Sequence, residues 1–303
     1  MVQEVDYIWM DNKLVKWKSA TVHILTHTLH YGSGVFEGIR CYKTVSGSAI
    51  FRLKEHVTRL FNSAKIMKIK IPYTEEEIKE AIKKTIIVNR IKECYIRPIV
   101  YNGYGQMGLN TASCKINVAI IIWPWGSYLG EESLEKGIKA KIVGIKRETS
   151  AIANAKICGN YVKSIIAKRE AVESGYDEAI LFDDRGYLAE GSGENIFIVK
   201  NNIIKTPSLG AILPGITRDS IIQLARDMNY RVEECQITKD ELYSADEVFL
   251  CGTAAELTPV RIIDNKIIGI GKRGKITTIL QKKFFDVIRG RDEKYEKWLT
   301  HVR

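Results

Sequence analysis

The sequence predicts a two-domain protein of the α/β or α+β class. Its 303 residues exceed the size of one typical core, and its 45% apolar and 27% charged residues are typical of a globular chain. Patterns of strands and helices are mixed in both halves, and they break at residues 124–127, Pro-Trp-Gly-Ser. We therefore predict a small N-terminal α/β domain at residues 1–122, a linker at 123–133 and a large C-terminal α/β domain at 134–303.

The first half contains patterns of both helix and strand. Apolar residues at Val57, Leu60 and Ala64 recur with helical spacing, and Pro72 ends that helix. A second helix is acidic in its first turn and basic toward its end, as the helix dipole favours. The predicted helices cover residues 53–69 and 75–91. The predicted strands cover residues 7–10, 14–17, 39–42, 49–52, 94–100 and 116–123.

The second half follows the same mixed pattern. Short apolar runs predict its strands, and longer segments of helical spacing predict its helices. The predicted strands cover residues 139–145, 179–182, 195–199 and 248–251. The predicted helices cover residues 161–174, 217–228 and 275–288.

Composition and charge exclude several classes of protein. The longest apolar run, residues 118–123, is far shorter than the roughly 20 residues of a membrane helix. The N-terminus lacks the pattern of a secretion signal, and the six cysteines contain no C-x-x-C pair, so we expect reduced thiols in a cytoplasmic protein. The net charge of +10 is interleaved with acidic residues, which argues against a nucleic-acid partner. Abundant isoleucine and charge suggest a thermophilic source.

Two short patterns are compatible with other kinds of site. His23, His27 and His30 would share one face of a helix, but this segment is predicted as strand and turn, and no carboxylate or cysteine stands nearby at ligand spacing. Residues 191–193 resemble the opening of a dinucleotide fingerprint, but Ile196 stands where its third glycine belongs. We therefore expect neither a bound metal nor a dinucleotide.

Lys156 lies in a predicted turn just before a helix. Read alone, it is compatible with an ordinary solvated surface lysine. Its neighbours Ala155, Ile157 and Cys158 are uncharged and small or apolar, and such a setting would desolvate the ammonium and favour the neutral amine. A neutral lysine amine is the nucleophile of Schiff-base chemistry.

Two further features match the parts of a pyridoxal phosphate site. Residues 214–217, Pro-Gly-Ile-Thr, open a predicted helix and present backbone N–H groups and a hydroxyl, which suit either a phosphate or a simple helix cap. Glu190 and Glu194 flank a glycine turn. They are compatible with surface charges or with a carboxylate for a ring nitrogen. The spacing leaves these alternatives open.

Four groups of glycine-containing segments resemble those of the fold-type IV pyridoxal-phosphate-dependent aminotransferases. They are residues 31–40, 154–161, 188–197, and 213–218 together with 251–256. Residues 36–42 and 252–260 are similar to the branched-chain amino acid aminotransferases in particular. The resemblance runs from about Asp6 to Lys283 and implies a two-domain fold of the D-amino acid aminotransferase type. It also implies transfer of the amino group of L-leucine, L-isoleucine or L-valine to 2-oxoglutarate in branched-chain amino acid biosynthesis.

The resemblance implies pyridoxal 5′-phosphate as the cofactor and assigns residues to it. Lys156 would bind it covalently and move the substrate proton, Tyr161 would hydrogen-bond its ring oxygen, and Glu190 would pair with its ring nitrogen. The residues that would hold its phosphate are Arg59, Ile216, Thr217 and Thr253.

The same resemblance assigns the substrate contacts. Arg97 would bind the distal carboxylate of glutamate, and the backbone of Ala254 and Ala255 would bind the α-carboxylate. The residues that would line the rest of the substrate pocket are Tyr31, Phe36, Gly38, Arg40, Tyr95, Trp125 and Tyr128. Cys158 departs from the family, because small residues such as glycine are common there. A thiol is still small, so we expect cofactor binding to survive, with altered packing or oxidation sensitivity as the consequence.

The resemblance also implies a homodimer or larger homo-oligomer, in which residues 103–110 reach the neighbouring subunit's site. The nearest rival functions are a D-amino acid aminotransferase and an aminodeoxychorismate lyase. Arg97 together with residues 36–42 disfavours both of them. A basic nucleic-acid-binding protein is the rival from another class, and no motif of such proteins is found.

Overall fold

The computed structural model describes residues 2–126 and 130–302, except for the side chains of Glu131 and Ala151. The chain forms two compact units. Unit 1 comprises Met1–Trp125, Ala155–Asn160 and Val287–Arg303, and unit 2 comprises Gly126–Asn154 and Tyr161–Asp286. The division predicted from the sequence had placed residues 155–160 and 287–303 in the C-terminal domain.

The described residues form strands and helices that are numbered here in chain order. The strands are β1 (Tyr7–Met10), β2 (Lys13–Lys16), β3 (Gly34–Phe36), β4 (Ile39–Thr44), β5 (Gly47–Phe51), β6 (Cys94–Asn102), β7 (Ile116–Trp123), β8 (Ile138–Arg147), β9 (Glu178–Asp183), β10 (Leu188–Gly191), β11 (Asn195–Lys200), β12 (Ile203–Pro207), β13 (Val232–Cys235), β14 (Glu247–Gly252), β15 (Glu256–Ile263), β16 (Lys266–Ile267) and β17 (Leu299–His301). The helices are α1 (His27–Tyr31), α2 (Leu53–Ile66), α3 (Glu75–Val88), α4 (Glu131–Lys136), α5 (Tyr161–Glu173), α6 (Ile216–Asp227), α7 (Lys239–Tyr243) and α8 (Lys275–Ile288).

Unit 1 is built on an antiparallel sheet with the order β17-β5-β4-β6-β7-β1-β2, and β3 pairs with β6. In the central strands Tyr95 stands opposite both Arg40 of β4 and Trp123 of β7. Because alternate residues of a strand share a face, Arg97 lies on the same face as Tyr95. The sheet therefore presents a row of basic and aromatic side chains on one face.

Helices α2 and α3 contribute apolar side chains to the core of unit 1. Leu53, Val57 and Leu60 of α2 are fully or almost fully buried, which follows from their helical spacing. Helix α3 begins with a reciprocal cap in which Glu77 N donates to Thr74 Oγ1 and Thr74 N donates to the carboxylate of Glu77. The buried apolar face of α2 fixes the rotation of that helix, which also carries His56 and Arg59.

Unit 2 is built on a mixed sheet with the order β10-β9-β8-β15-β14-β11-β12-β13, and β16 pairs with β15. The pairs β8–β9, β8–β15 and β12–β13 are parallel, and the other pairs are antiparallel. Strand β9 is buried along its whole length, which agrees with the apolar run at residues 179–182 within it. Helix α6 follows β12 and a turn, so its N-terminus stands beside β11, where Asn195 begins the strand.

The mixed α/β class predicted from the sequence is confirmed. The histidine segment was predicted wrongly as strand and turn, because a short helix covers His27–Tyr31. There His27 contacts Ser33 Oγ at 2.7 Å and Gly108 O at 2.6 Å, and His30 contacts Ile24 O at 2.9 Å. No helix in the described part of the chain is long and apolar enough to cross a membrane.

Candidate functional site

The backbone of Lys156 is fixed by its neighbours in unit 1. Lys156 N donates to Ser63 Oγ on α2 at 3.0 Å, and Lys156 O accepts from Phe36 N on β3 at 3.1 Å. The next residue, Ile157, forms a bridge with Val35. The half-buried side chain places Nζ 4.9 Å from the centre of the Phe36 ring. The lysine predicted in a turn before a helix is therefore held on two sides by hydrogen bonds of its own backbone.

A close approach of two glycines adds to this support. Gly159 N donates to Gly32 O at 3.2 Å, and a Cβ atom on Gly32 would lie 2.7 Å from Gly159 Cα. Gly32 also has a φ of +63°, which a side chain would disfavour. Beside Gly159, burial raises the pKa of the Cys158 thiol to about 11, against the opposing charges of Arg97 and Lys156. Cys158 is therefore a protonated thiol at neutral pH, which makes oxidation through a thiolate slow.

Arg59 of α2 lies beside a buried carboxylate. Its Nε donates to Oε1 of Glu37 at 2.6 Å, and its Nη2 donates to Oε2 of the same residue at 2.9 Å. Nδ1 of His56, one helical turn before Arg59, lies 2.7 Å from Oε2 of Glu37. Glu37 is fully buried, and the side chain of Arg59 is 12% exposed. Sequence reasoning assigned Arg59 but missed both Glu37 and His56.

Arg97 lies among aromatic rings in unit 1. Its Cζ atom is 4.8 Å from the centre of the Phe36 ring, 5.3 Å from that of Tyr95 and 5.8 Å from that of Trp123. Its Nη2 donates to Tyr95 Oη at 3.3 Å. Its buried Nε has no hydrogen-bond partner among the described residues. A guanidinium held in this way suits a ligand carboxylate.

Gly38, Arg40 and Trp125, also predicted for the substrate pocket, lie close to Tyr95 of this cluster or to one another. A Cβ atom on Gly38 would lie 2.0 Å from Tyr95 Oη, so only glycine leaves that hydroxyl in place. Nη2 of Arg40 donates to Trp125 O at 3.3 Å, and the Trp125 ring packs 4.9 Å from that of Tyr95. Tyr31 is 47% exposed at the end of α1. Tyr128 lies outside the described residues.

Glu190 of β10 is buried in unit 2 and surrounded by donors. Leu213 N donates to its Oε2 at 3.1 Å, and Asn195 Nδ2 lies 3.5 Å from the same oxygen. Arg147 Nε lies 3.0 Å from Oε1, as an ion pair without hydrogen-bond geometry. Glu190 is only 7% exposed, so the alternative of a surface charge is wrong.

The start of α6 can bind an anion. Gly215 is the N-cap residue of the helix and has no side chain with which to cap its first N–H groups. Ile216 and Thr217 follow and are buried. A Cβ atom on Gly215 would lie 1.9 Å from Asn195 Oδ1, so glycine is required for this close approach. Asn195 contacts both Glu190 and the start of α6, and sequence reasoning missed it.

The remaining predicted residues also fall in unit 2. Thr253 and Ala254 lie in the turn between β14 and β15, followed by the buried Ala255. Thr258 Oγ1 donates to Ala255 O at 2.7 Å and holds that turn. Tyr161 is the first residue of α5.

Comparison with known proteins identifies the family. The model of the family "Amino-transferase class IV" matches residues 34–263, which is more than half of the chain. The chain belongs to the class IV aminotransferases. Within this family it is 48% identical over 298 residues to the branched-chain-amino-acid aminotransferase of Pseudomonas aeruginosa, and the match covers 98% of this chain and 97% of that protein.

Solved structures of class IV aminotransferases have the same fold. The branched-chain amino acid aminotransferase of Escherichia coli matches with a TM-score of 0.97 at 42% identity, over 99% of this chain and 100% of that one. The branched-chain amino acid aminotransferase of Thermobaculum terrenum, solved in its PLP-form, matches with a TM-score of 0.93 at 33% identity, over 99% of both chains. The resemblance read from the motifs is therefore confirmed.

Glu194, four positions after Glu190 in the sequence, carries a second buried carboxyl group. Glu194 is buried, with 6% of its surface exposed, and its Oε2 accepts from Gly193 N at 3.1 Å. Burial and the negative charge of Glu178 raise the pKa of Glu194 to about 8, although Lys168 opposes the shift. The alternative of a surface charge is wrong for Glu194 as well. Glu194 therefore remains largely protonated at neutral pH.

Glu194→Gln is expected to stabilise the protein at alkaline pH. The folded state holds the proton of Glu194 more tightly than the unfolded chain does. The contribution of this proton to the free energy of unfolding is therefore complete below the ordinary pKa of 4.5 and is lost as the pH rises through about 8. Glutamine cannot ionise, so the Tm of the variant should exceed that of the wild type by a few degrees at about pH 9 and approach it at about pH 4. Equal Tm values at both pH values would contradict the raised pKa.

Proposed function

We propose that the chain transfers the amino group of L-leucine, L-isoleucine or L-valine reversibly to 2-oxoglutarate, giving the branched 2-oxo acid and L-glutamate. The observation that carries this proposal lies in unit 1, where the ring of Phe36 contacts both the amine of Lys156 and the guanidinium of Arg97. The amine of Lys156 would serve the reacting end of the substrate, and the guanidinium of Arg97 would bind the distal carboxylate of glutamate. The apolar ring between them suits a branched side chain, so the arrangement fits both members of the substrate pair.

The donor set fits pyridoxal 5′-phosphate, the cofactor of this family. A dianionic phosphate suits a guanidinium, helix N-terminal N–H groups and hydroxyls, and we propose that Arg59, Ile216, Thr217 and Thr253 would bind it. Gly215 supports this assignment, because the close contact with Asn195 Oδ1 leaves no room for a side chain at the start of α6. A ring nitrogen requires an ionised carboxylate, which Glu190 beside Arg147 offers. Bound at Lys156, the cofactor would supply an electron sink for the electrons of the substrate Cα–H bond.

The residues of the chain then have separate tasks. Once the amino group of the substrate has taken its place on the cofactor, the free amine of Lys156 would move the proton from the substrate Cα atom to the cofactor, and back in the reverse direction. Tyr161 would hold the ring oxygen of the cofactor, and the N–H groups of Ala254 and Ala255 would bind the α-carboxylate. The walls of the substrate pocket would be Tyr31, Phe36, Gly38, Arg40, Tyr95, Trp125 and Tyr128.

The assembly state and location belong to the same proposal. We propose a cytoplasmic homodimer or larger homo-oligomer. Leu109 is 90% exposed and Tyr104 is 59% exposed, and a partner subunit would cover these apolar side chains. Sedimentation velocity would show a single species of at least twice the chain mass. A monomer at micromolar concentration would contradict this part of the proposal.

The visible spectrum of the purified protein tests the proposed activity. Protein loaded with pyridoxal phosphate should be yellow, should bleach when L-leucine is added and should recover its colour with 2-oxoglutarate. D-alanine is the control substrate, because a D-amino acid aminotransferase would respond to it. Bleaching by D-alanine but not by L-leucine would overturn the proposed substrate class.

Arg97→Ala is expected to impair the glutamate half-reaction far more than the leucine half-reaction. A hydrogen bond to a charged group contributes about 1.5–3 kcal/mol, so kcat/KM for glutamate should fall by roughly 10- to 100-fold beyond any loss for leucine. Single-turnover rates with each amino acid measure this difference. Equal losses for both substrates would exclude Arg97 as the reader of the distal carboxylate.

A further inference from the structure

The carboxylate of Glu37 holds Arg59 in a defined orientation. Both of its oxygens accept from the guanidinium, at 2.6 and 2.9 Å. This side-on contact occupies two of the five N–H bonds of the arginine and fixes the plane of the group. Gly38 N also donates to Oε2 of Glu37 at 3.2 Å. The carboxylate therefore cannot turn without losing several bonds.

His56, one helical turn before Arg59 on α2, also contacts the carboxylate of Glu37. Its Nδ1 atom lies 2.7 Å from Oε2 of Glu37, and both side chains are almost fully buried. Burial lowers the pKa of His56, although the negative charge of Glu37 opposes this shift. Neutral His56 with its proton on Nδ1 is therefore a donor to Glu37. Burial alone would raise the pKa of Glu37, but Arg59 and His56 outweigh it and hold that pKa well below its ordinary value.

By charge alone, a carboxylate at the position of Glu37 is unfavourable for the binding of a phosphate by Arg59. A negative group beside an arginine weakens the attraction of that arginine for a dianionic phosphate. Removing two charges from water is also costly, and a fully buried ion pair does little for stability. A role in orientation explains why a carboxylate stands here despite both costs.

We propose that Glu37 and His56 are positioning residues that fix the guanidinium of Arg59 for the phosphate of the cofactor. This inference rests on the proposed function, because it takes Arg59 as a phosphate ligand. It predicts that the two residues act on the phosphate group and not on the pyridine ring. They should therefore control the preference of the protein for pyridoxal phosphate over pyridoxal.

The test measures equilibrium binding of pyridoxal 5′-phosphate and of pyridoxal to the full-length apoprotein by absorbance and tryptophan fluorescence. Glu37→Gln should raise the Kd for pyridoxal phosphate at least about tenfold, as expected for loss of a charged hydrogen bond, and leave the Kd for pyridoxal within about twofold. Asp11→Asn is the matched control, since it also neutralises a carboxylate of unit 1 that accepts from a backbone N–H, at 2.8 Å. It should change neither constant.

A role of Glu37 as a counter-charge and a role in orienting Arg59 predict opposite changes in the Kd for pyridoxal phosphate when Glu37 is replaced by glutamine. If Glu37 acted only as a counter-charge, its neutralisation would tighten the binding of pyridoxal phosphate. Tighter or unchanged binding would therefore overturn the proposal. A double mutant with Arg59→Gln adds a second criterion, because a residue that acts through Arg59 should have no further effect once Arg59 is gone.

The His56 variants keep the test decisive if Glu37→Gln does not fold. His56→Leu removes the donor to Glu37 and should loosen pyridoxal phosphate, whereas His56→Asn offers an amide N–H in a similar place and should restore part of the affinity. Equal affinities for both variants and the wild type would overturn the proposal. If the wild type itself shows no preference for pyridoxal phosphate over pyridoxal, the proposed function fails, and this outcome differs from failure of the inference alone.

Discussion

Lys156→Ala is expected to abolish transamination, with a loss of rate on the order of a thousandfold or more. Its amine is the group proposed both to bind the cofactor and to carry the substrate proton. No other lysine has its backbone fixed between α2 and β3 among the described residues. The loss should appear in single-turnover reactions with L-leucine and equally with L-glutamate, because both half-reactions need the same amine.

Lys163→Ala is the matched control for this prediction. Lys163 lies on α5, and its side chain is 47% exposed and paired with Glu148. Its loss should leave the turnover unchanged and cost little stability, because surface ion pairs contribute little. Turnover of Lys156→Ala within about tenfold of the wild type would show that this lysine is not the reacting amine.

Glu190→Gln is expected to slow both half-reactions by roughly a hundredfold. Glutamine keeps the shape of the side chain and an acceptor for Leu213 N, but it loses the negative charge that Arg147 now faces. A neutral amide cannot stabilise a protonated ring nitrogen, so the electron sink is weakened. Stopped-flow absorbance with L-leucine measures the rate.

Glu148→Gln serves as the control for Glu190→Gln, since the side chain of Glu148 is 71% exposed. It should react at the wild-type rate. The spectrum of the Glu190 variant should also change, because the charge state of the ring nitrogen affects the absorption of the bound cofactor. A Glu190 variant with an unchanged rate and spectrum would exclude the proposed pairing.

The sequence allowed good prediction of those parts of the fold that depend on local patterns. Strands β1 and β7 and helix α8 have the predicted bounds. The two helices predicted at residues 53–69 and 75–91 exist but end three residues earlier, at Ile66 and Val88. After these ends Lys68 and Arg90 adopt positive φ values, which stop a helix through the backbone rather than through a side-chain pattern.

Long-range pairing could not be predicted in the same way. Strand β17 has three residues and pairs with β5, more than two hundred positions earlier in the chain. A short strand of this kind carries no periodicity that a sequence window can detect. The C-terminal residues 287–303 therefore fall in unit 1, where the linear pattern gave no reason to place them.

The same distinction holds for the candidate site. The family resemblance assigns roles to Lys156, Arg59 and Glu190, whereas it assigns none to Glu37, His56 and Asn195. Glu37 and His56 are 19 positions apart and meet only because α2 packs beside β3. The available signal was that Glu37 lies inside the motif at residues 36–42 and that His56 precedes Arg59 by three positions, which places both on one helix face.

Borohydride reduction followed by peptide mass mapping tests the central assignment most directly. Purified protein loaded with pyridoxal phosphate is reduced and digested, and each lysine-containing peptide is compared with that of an unreduced sample. We predict a phosphopyridoxyl group on Nζ of Lys156 in nearly every molecule, and its loss in the Lys156→Ala variant. A modified lysine elsewhere with Lys156 unmodified, or no modified peptide at all, would contradict this account.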